Sequence, residues 1–197
     1  MKITPDIVDI STNYKSDSFE IDFQDQKSLG RIFQSMIMIY KHPFAFIREF
    51  VQNAYDAVVE LWELEYQNEI SLDNFLINNP ILLGLYKNND KSYVEISETK
   101  GIGISPDRIE NVYKILTNST KRNSTTQIGE KGIGKLSALA YTNEFYVCTI
   151  YDNIEYMYKI YRYDETLPPQ ITLQYKTASL SHNKTRISVF LKTDDDI

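Results

Sequence analysis

Glu49, Asn53 and Asp56 lie four and then three residues apart in the run Phe46-Ile47-Arg48-Glu49-Phe50-Val51-Gln52-Asn53-Ala54-Tyr55-Asp56-Ala57. On a helix, positions i, i+4 and i+7 share one face. Two carboxylates and a carboxamide on one stripe can hold a metal ion and activate a water; the same three residues also describe an ordinary solvated face. Two glycine clusters add a second kind of chemistry. Gly101 and Gly103 follow a strand-like segment, and Gly129, Gly132 and Gly134 stand between a polar stretch and a helical one. Glycines ahead of a helix let backbone N–H groups approach an anion, and the helix dipole adds to the attraction. Lys131 and Lys135 add positive charge beside the second cluster. This is not a Walker A loop, because no Ser or Thr follows Lys135.

These residues need elements to hold them. The spacing of Leu29, Ile32, Phe33, Met36 and Ile37 predicts a helix over about 28–40. His42-Pro43 breaks it, and a second helix over about 43–66 carries the stripe. Its apolar line, Ile47, Val51, Ala54 and Val58, predicts that Glu49, Asn53 and Asp56 face away from the core. Phe19–Phe23 alternates as a short strand, Ile81–Tyr86 reads as a buried strand, and Tyr93–Ser97 alternates again. Ser105-Pro106-Asp107 starts a helix, with Ser as cap and Pro in first position, continuing to about Leu116. Residues 117–128 are polar and read as a mobile loop. A helix over Lys135–Tyr141 follows, then strands at Phe145–Tyr151, Ile154–Tyr163, Ile171–Tyr175 and Thr185–Leu191, with a turn at Asp152-Asn153. Helices first, then mixed elements, then antiparallel hairpins, predict a two-layer α+β sandwich: a mixed, mostly antiparallel sheet with helices on one face.

Composition bounds the function classes. The chain has 197 residues, 42% hydrophobic and 24% charged, with a net charge of −6. That suits one globular domain and gives no electrostatic footprint for nucleic acid or anionic membranes. Fifteen tyrosines without interleaved basic residues read as strand positions rather than a base-stacking surface. The single cysteine, Cys148, reads as a core residue and points to an intracellular, cytoplasmic setting. His42 and His182 read as structural or exposed. No apolar stretch has the length of a signal peptide core or a membrane span.

Taken together and in this order, the segments resemble the Bergerat fold of the GHKL ATPase superfamily: gyrase B, the heat-shock-ninety chaperones, histidine kinases and MutL, with MORC proteins as relatives. Glu49-x-x-x-Asn53-Ala54-x-Asp56-Ala57 resembles the N-box, Gly101-Ile102-Gly103 the first glycine turn, and Ser119-Thr120-Lys121 the lid edge. Gly129-x-x-Gly132-x-Gly134-x-x-Ser137 resembles the second glycine box, and Lys184–Leu191 the final strand. The likeness covers about residues 19–192 and is nearest to the chaperone and MORC-like branch.

The resemblance implies roles. Glu49 would be the general base for the attacking water, Asn53 the protein ligand of Mg²⁺, and Asp56, with Ala57 beside it, would organise the ATP pocket. Lys121, Gly129, Lys131, Gly132, Ile133, Gly134 and Lys135 would receive the phosphates. Gly101, Gly103 and Ile104 would form the base pocket, and Thr185 would reach the adenine edge. The family's adenine-reading Asp falls at Thr99 here, with Lys100 intervening. Either Thr99 replaces it, or Lys100 is an insertion at a bulge and Glu98 is the reader. Side chains alternate along a strand, so Glu98 shares the face of Val94 and Ile96, and this phase favours Glu98.

The implied function is Mg²⁺-dependent ATP binding with slow hydrolysis. It would drive closure of a lid over residues 117–131 and homodimerisation through a strap at residues 1–18. The alternative is a non-catalytic nucleotide-sensing or dimerisation module with a degenerate adenine site. Residues 19–192 would be the ATP-binding domain, and 193–197 an acidic end leading to a further domain. Beyond ATP or ADP and a second copy, partners expected from the sequence include neither nucleic acid nor membrane.

Overall fold

The computed structural model describes residues 25–40, 42, 44–88, 91–110 and 134–191. The predicted strand at 19–23, the strap, the loop at 117–128, Lys121, Gly129, Lys131, Gly132, Ile133 and the acidic end lie outside the described residues.

Two helices cover the sheet. In α1 (Gln26–Ile37), the Asp25 carboxylate caps the first turn, accepting from Ser28 N at 2.8 Å and Ser28 Oγ at 2.7 Å. Those two bonds lower the Asp25 pKa. Phe33 and Ile37, four apart, bury the inner face, and a 3₁₀ turn, Met38–Tyr40, ends the helix. Arg162, itself buried, ties α1 to the sheet. Its guanidinium donates to the carbonyls of Gly30, Leu167 and Glu165 and to Gln34 Oε1, and lies over the Phe33 ring at 5.0 Å.

Helix α2 (Ala45–Leu61), followed by a π turn at Trp62–Tyr66, is the centre of the helical layer. Its buried arc runs through Phe46, Phe50, Ala54, Val58 and Leu61. The predicted line through Ile47 and Val51 is only half-buried: both side chains pack on the core but also line a groove with Phe44, Tyr55 and Ile81. Ala54 and Val58 are buried as predicted, so the core face keeps the second half of the expected line and shifts to Phe46 and Phe50 in the first half. It borders the polar stripe instead of opposing it. A short helix, α3 (Leu72–Asn78), buries Phe75 against the far end of α2, beside Val58 and Leu61.

The six strands are β1 (Ile81–Asn88), β2 (Lys91–Glu98), β3 (Glu144–Tyr151), β4 (Ile154–Tyr161), β5 (Gln170–Ala178) and β6 (Lys184–Phe190), in the spatial order β1-β2-β6-β3-β4-β5. Every pairing among them is antiparallel, so the expected parallel component is absent from the described sheet. Strand β1 corrects a second expectation. Ile81–Tyr86 forms a strand, but at the sheet edge, with Leu82, Leu83, Leu85 and Tyr86 exposed. An apolar run signals a strand without saying what covers it. The hairpin β3–β4 turns at Asp152-Asn153 with φ of 51° and 59°, the left-handed pair that a two-residue hairpin turn requires.

The helix-side face of the three central strands is in register. Val94, Val189 and Phe145 form one row, and Ile96, Ile187 and Val147 the next. All six are buried, and Phe145 meets the Phe50 ring at 5.5 Å. Cys148, as expected, is buried within β3. The helix expected over Lys135–Tyr141 is a 3₁₀ helix, Gly134–Ala140, whose residues Lys135–Leu139 are all buried between α2 and the sheet. With three residues per turn, Leu136 and Leu139 stack on one side and both reach the core.

Phe145 is fully buried at the meeting point of α2 and the sheet. Phe145→Ala should destabilise the domain by about 3–5 kcal/mol in urea unfolding, the range for a large cavity in a packed core. A loss below about 1 kcal/mol would mean that the site collapses around the void.

Candidate functional site

The two rows of apolar side chains on β2, β6 and β3 are followed, at one end of the sheet, by a polar row: Glu98, Thr185 and Thr149. All three are buried. Thr185 N donates to Glu98 Oε1 at 2.5 Å, and the hydroxyls of Thr185 and Thr149 lie 3.1 Å apart. Burial raises the Glu98 carboxyl to about 7, against the partly compensating hydrogen bonds from backbone N–H groups and the Thr185 side chain and the more distant charge of Lys184.

Strand β2 ends at Glu98, and the chain bends at Thr99-Lys100 rather than bulging within the strand. Glu98 continues the buried phase of Val94 and Ile96, as the alternation predicts. Thr99 is exposed, and both its N–H (3.3 Å) and its hydroxyl (3.4 Å) are directed at the Pro80 carbonyl. Lys100 turns outward to Tyr66, donating to its hydroxyl at 2.6 Å. The intervening lysine is thus accommodated at the end of α2, away from the polar row.

The glycine turn is held on three sides. Gly101 N donates to Asn183 O at 2.9 Å, Ile102 N to Ala57 O on α2 at 3.3 Å, and Ile104 N to Thr149 Oγ1 at 2.8 Å. Gly103 has φ of +68°, and a Cβ there would collide with the Ile150 carbonyl, so no other residue fits. Ile104 packs against the core edge. Ser105 then caps α4 (Pro106–Arg108), accepting from Arg108 N at 3.1 Å with Pro106 in first position, as predicted. Arg108 reaches back to Glu60 on α2 at 2.9 Å. Glu60 lies four residues beyond Asp56 and extends the polar stripe by one turn.

On α2 itself, Asp56 is fully buried, which corrects the expectation of an outward-facing stripe. Asn53 and Glu49 are half-buried. Glu49 accepts from Arg48 at 2.8 Å, and its carboxylate lies directly against Gly134, where a Cβ would collide with it. Any side chain at position 134 would push the Glu49 carboxylate from this place. Tyr40 lies near the same carboxylate: burial, with the Glu49 charge adding to it, raises the phenol pKa. Lys135, next to Gly134, is buried, and desolvation lowers its ammonium to about 8. Ser137, the last residue of the second box, is buried, and its hydroxyl finds no partner among the described residues.

The fold thus brings Glu49 against Gly134-Lys135, and Ala57 against the Gly101–Ile104 turn, which Glu98 and Thr185 adjoin. Helix α2 links the two groups. Sequence reading did not single out Thr149, Asn183, Glu60 or Lys100 with Tyr66. Only Thr149 left a trace there, as one hydroxyl on the inward phase of an apolar strand.

The raised Glu98 carboxyl has a measurable consequence. Its folded pKa of about 7 lies above the ordinary 4.5, so the folded chain keeps a proton that the unfolded chain releases in this window. Stability is lost as pH rises from about 4.5 through 7. Glu98→Gln removes that loss. Between pH 4.5 and about 8 the variant should gain on the order of 3 kcal/mol over wild type, measured by urea unfolding across pH. A difference independent of pH would show that Glu98 titrates normally.

A family model described as histidine kinase-, DNA gyrase B-, and HSP90-like ATPase matches residues 40–187. The match contains α2, the glycine turn, the 3₁₀ segment and most of β6. No curated protein matches the chain. The match spans well over half of the sequence and the geometry agrees with it, so this chain belongs to the histidine kinase-, DNA gyrase B-, and HSP90-like ATPase family.

Proposed function

We propose that the chain binds ATP with Mg²⁺ and hydrolyses it slowly. The observation that carries this reading is the position of Glu49: a carboxylate on the central helix, held against a glycine that begins the buried 3₁₀ segment. A glycine at that contact leaves backbone, and no side chain, beside the carboxylate. This is what a phosphate chain approaching the segment needs.

In this reading the triphosphate lies between the α2 stripe and the Gly134-Lys135 segment, and the base enters beside Glu98, Thr185 and the Gly101–Ile104 turn. The Glu98 carboxyl accepts from the exocyclic amino group of adenine. Its burial makes that contact selective when the carboxyl is ionised, because a base presenting an oxygen there would then leave a buried acceptor facing another acceptor. Thr99, exposed and directed at Pro80, suits this role less well. Asn53, half-buried between Glu49 and Asp56 on one stripe, fits as the single protein ligand of a magnesium ion that otherwise binds phosphate oxygens and water. When bound, that ion supplies positive charge to the phosphates. Glu49 positions a water and takes its proton as the water oxygen attacks the γ-phosphorus and the bond to ADP breaks. Lys135 contributes positive charge at the mouth of the segment.

The same reading extends to a machine in which bound nucleotide closes residues 117–131 and brings residues 1–18 of two copies together. The resemblance of the N-box and lid edge to the chaperone and MORC-like branch supports that extension. It also supports a cytoplasmic setting and action on a separate partner. Among the described residues no helix is long and apolar enough to cross a membrane. The competing non-catalytic reading is favoured by one observation, the departure from the family pattern at Glu98-Thr99-Lys100.

Two comparisons separate these possibilities. Glu49→Ala should leave ATP affinity within about threefold of wild type in calorimetry while hydrolysis falls by ~10²-fold or more. Lost binding would instead make Glu49 a structural residue. Glu98→Ala should weaken ATP binding more than Thr99→Ala, by about tenfold or more. Equal or reversed losses would return the base-reading role to Thr99.

A further inference from the structure

The polar row on the helix-side face has three members, and two of them, Glu98 and Thr185, have roles in the reading above. The third is Thr149, fully buried on β3 and paired with Thr185 in the ladder. Its hydroxyl accepts from Ile104 N at 2.8 Å, donates to Lys184 O at 3.1 Å and lies 3.1 Å from Thr185 Oγ1.

A hydroxyl has one proton and two lone pairs. One lone pair of Thr149 is taken by the Ile104 amide and its proton goes to Lys184 O, so the hydroxyl ties the turn to the start of β6. The Thr185 hydroxyl, next along β6, lies 3.1 Å away. One side chain thus fixes two things at once: the position of the backbone at Ile104, and the position of β6 at Lys184-Thr185. Both neighbours flank the space between the turn and β6.

We propose that Thr149 is a positioning residue for base recognition, holding the Gly101–Ile104 turn onto β3 and tying it to β6 where Thr185 meets Glu98; this rests on the base-reading role given above to Glu98 and Thr185. It acts through the turn and through the other two members of the row. A valine has the same shape but no hydroxyl. It keeps the packing under the sheet while leaving the Ile104 amide without an acceptor and the Lys184 carbonyl without this donor.

The test compares wild type, Thr149→Val and Thr149→Ser by two measurements. In the nucleotide-free protein, hydrogen exchange at the Ile104 amide should quicken about tenfold in T149V, as expected when a buried amide loses its acceptor, and return to the wild-type rate in T149S. In calorimetry with ATP and with inosine triphosphate, which has an oxygen in place of the adenine amino group, T149V should lose about tenfold in ATP affinity and much less for the inosine nucleotide. The ratio between the two nucleotides should therefore shrink in T149V and recover in T149S. Unchanged exchange at Ile104, or equal losses for the two nucleotides, would overturn the proposal. ATP binding by wild type that T149V leaves intact would overturn the role of Thr149 alone. A wild type that binds neither nucleotide would overturn the ATP reading, and the recognition role with it. Should T149V fail to fold, Thr149→Ala repeats both comparisons with a smaller side chain.

Discussion

Helix α2 has to satisfy two neighbours on adjoining arcs of one cylinder. One arc, Phe46 through Leu61, must be apolar to cover the sheet. The next arc, Glu49, Asn53, Asp56 and Glu60, must carry polar groups into a half-enclosed space. The two arcs share a border, so Asp56 is buried without being part of an apolar surface. Most of the site follows from this constraint. The 3₁₀ segment meets the polar arc at Gly134, where it has no side chain to displace the Glu49 carboxylate. The glycine turn docks onto the end of the same helix through Ala57 and Arg108. Moving α2 would therefore disturb both halves of the site together.

The sheet solves a matching problem with period two instead of 3.6. Its central strands carry two apolar rows under the helices and then, without a change of phase, a polar row. Placing a carboxyl and two hydroxyls at the inward position keeps the register of the core and makes the end of the layer polar. The price is a carboxyl that desolvation raises to about 7, stabilised in part by the Thr185 amide.

What the sequence made legible was local or periodic. The spacing of Glu49, Asn53 and Asp56 needed only a helix, and the Ser105-Pro106 cap needed only one turn. The phase of β2 placed Glu98 inward and Thr99 outward from the alternation of Val94 and Ile96. What was not legible depends on partners far along the chain. Nothing in Ile81–Tyr86 says that it stands at the edge of the described sheet with Leu82, Leu83, Leu85 and Tyr86 exposed. The rotation of α2 from Ile47-Val51 toward Phe46-Phe50 is decided by what the sheet presents, because both lines are apolar. Thr149 reads as one more β-branched strand residue until β6 brings Thr185 beside it and the turn brings Ile104 above it.

Strand order carries a further consequence, for assembly of the fold in time. Hairpins β1–β2, β3–β4 and β4–β5 each join neighbours in sequence and can close locally. Strand β6 is the last of the described strands in sequence yet lies in the middle of the sheet, between β2 and β3, with Tyr93 paired to Phe190 and Phe145 to Val189. Among the described strands, the two halves of the sheet therefore have no hydrogen-bonded connection until residues 184–190 arrive. Closing the pairing of β2 with β6 spans nearly half the chain, the kind of non-local step that slows folding. During synthesis, the helices, the glycine turn and both outer hairpins emerge from the ribosome before the strand that joins them. Only then does Thr185 meet Glu98, so the polar row and the completed sheet come into being in the same event.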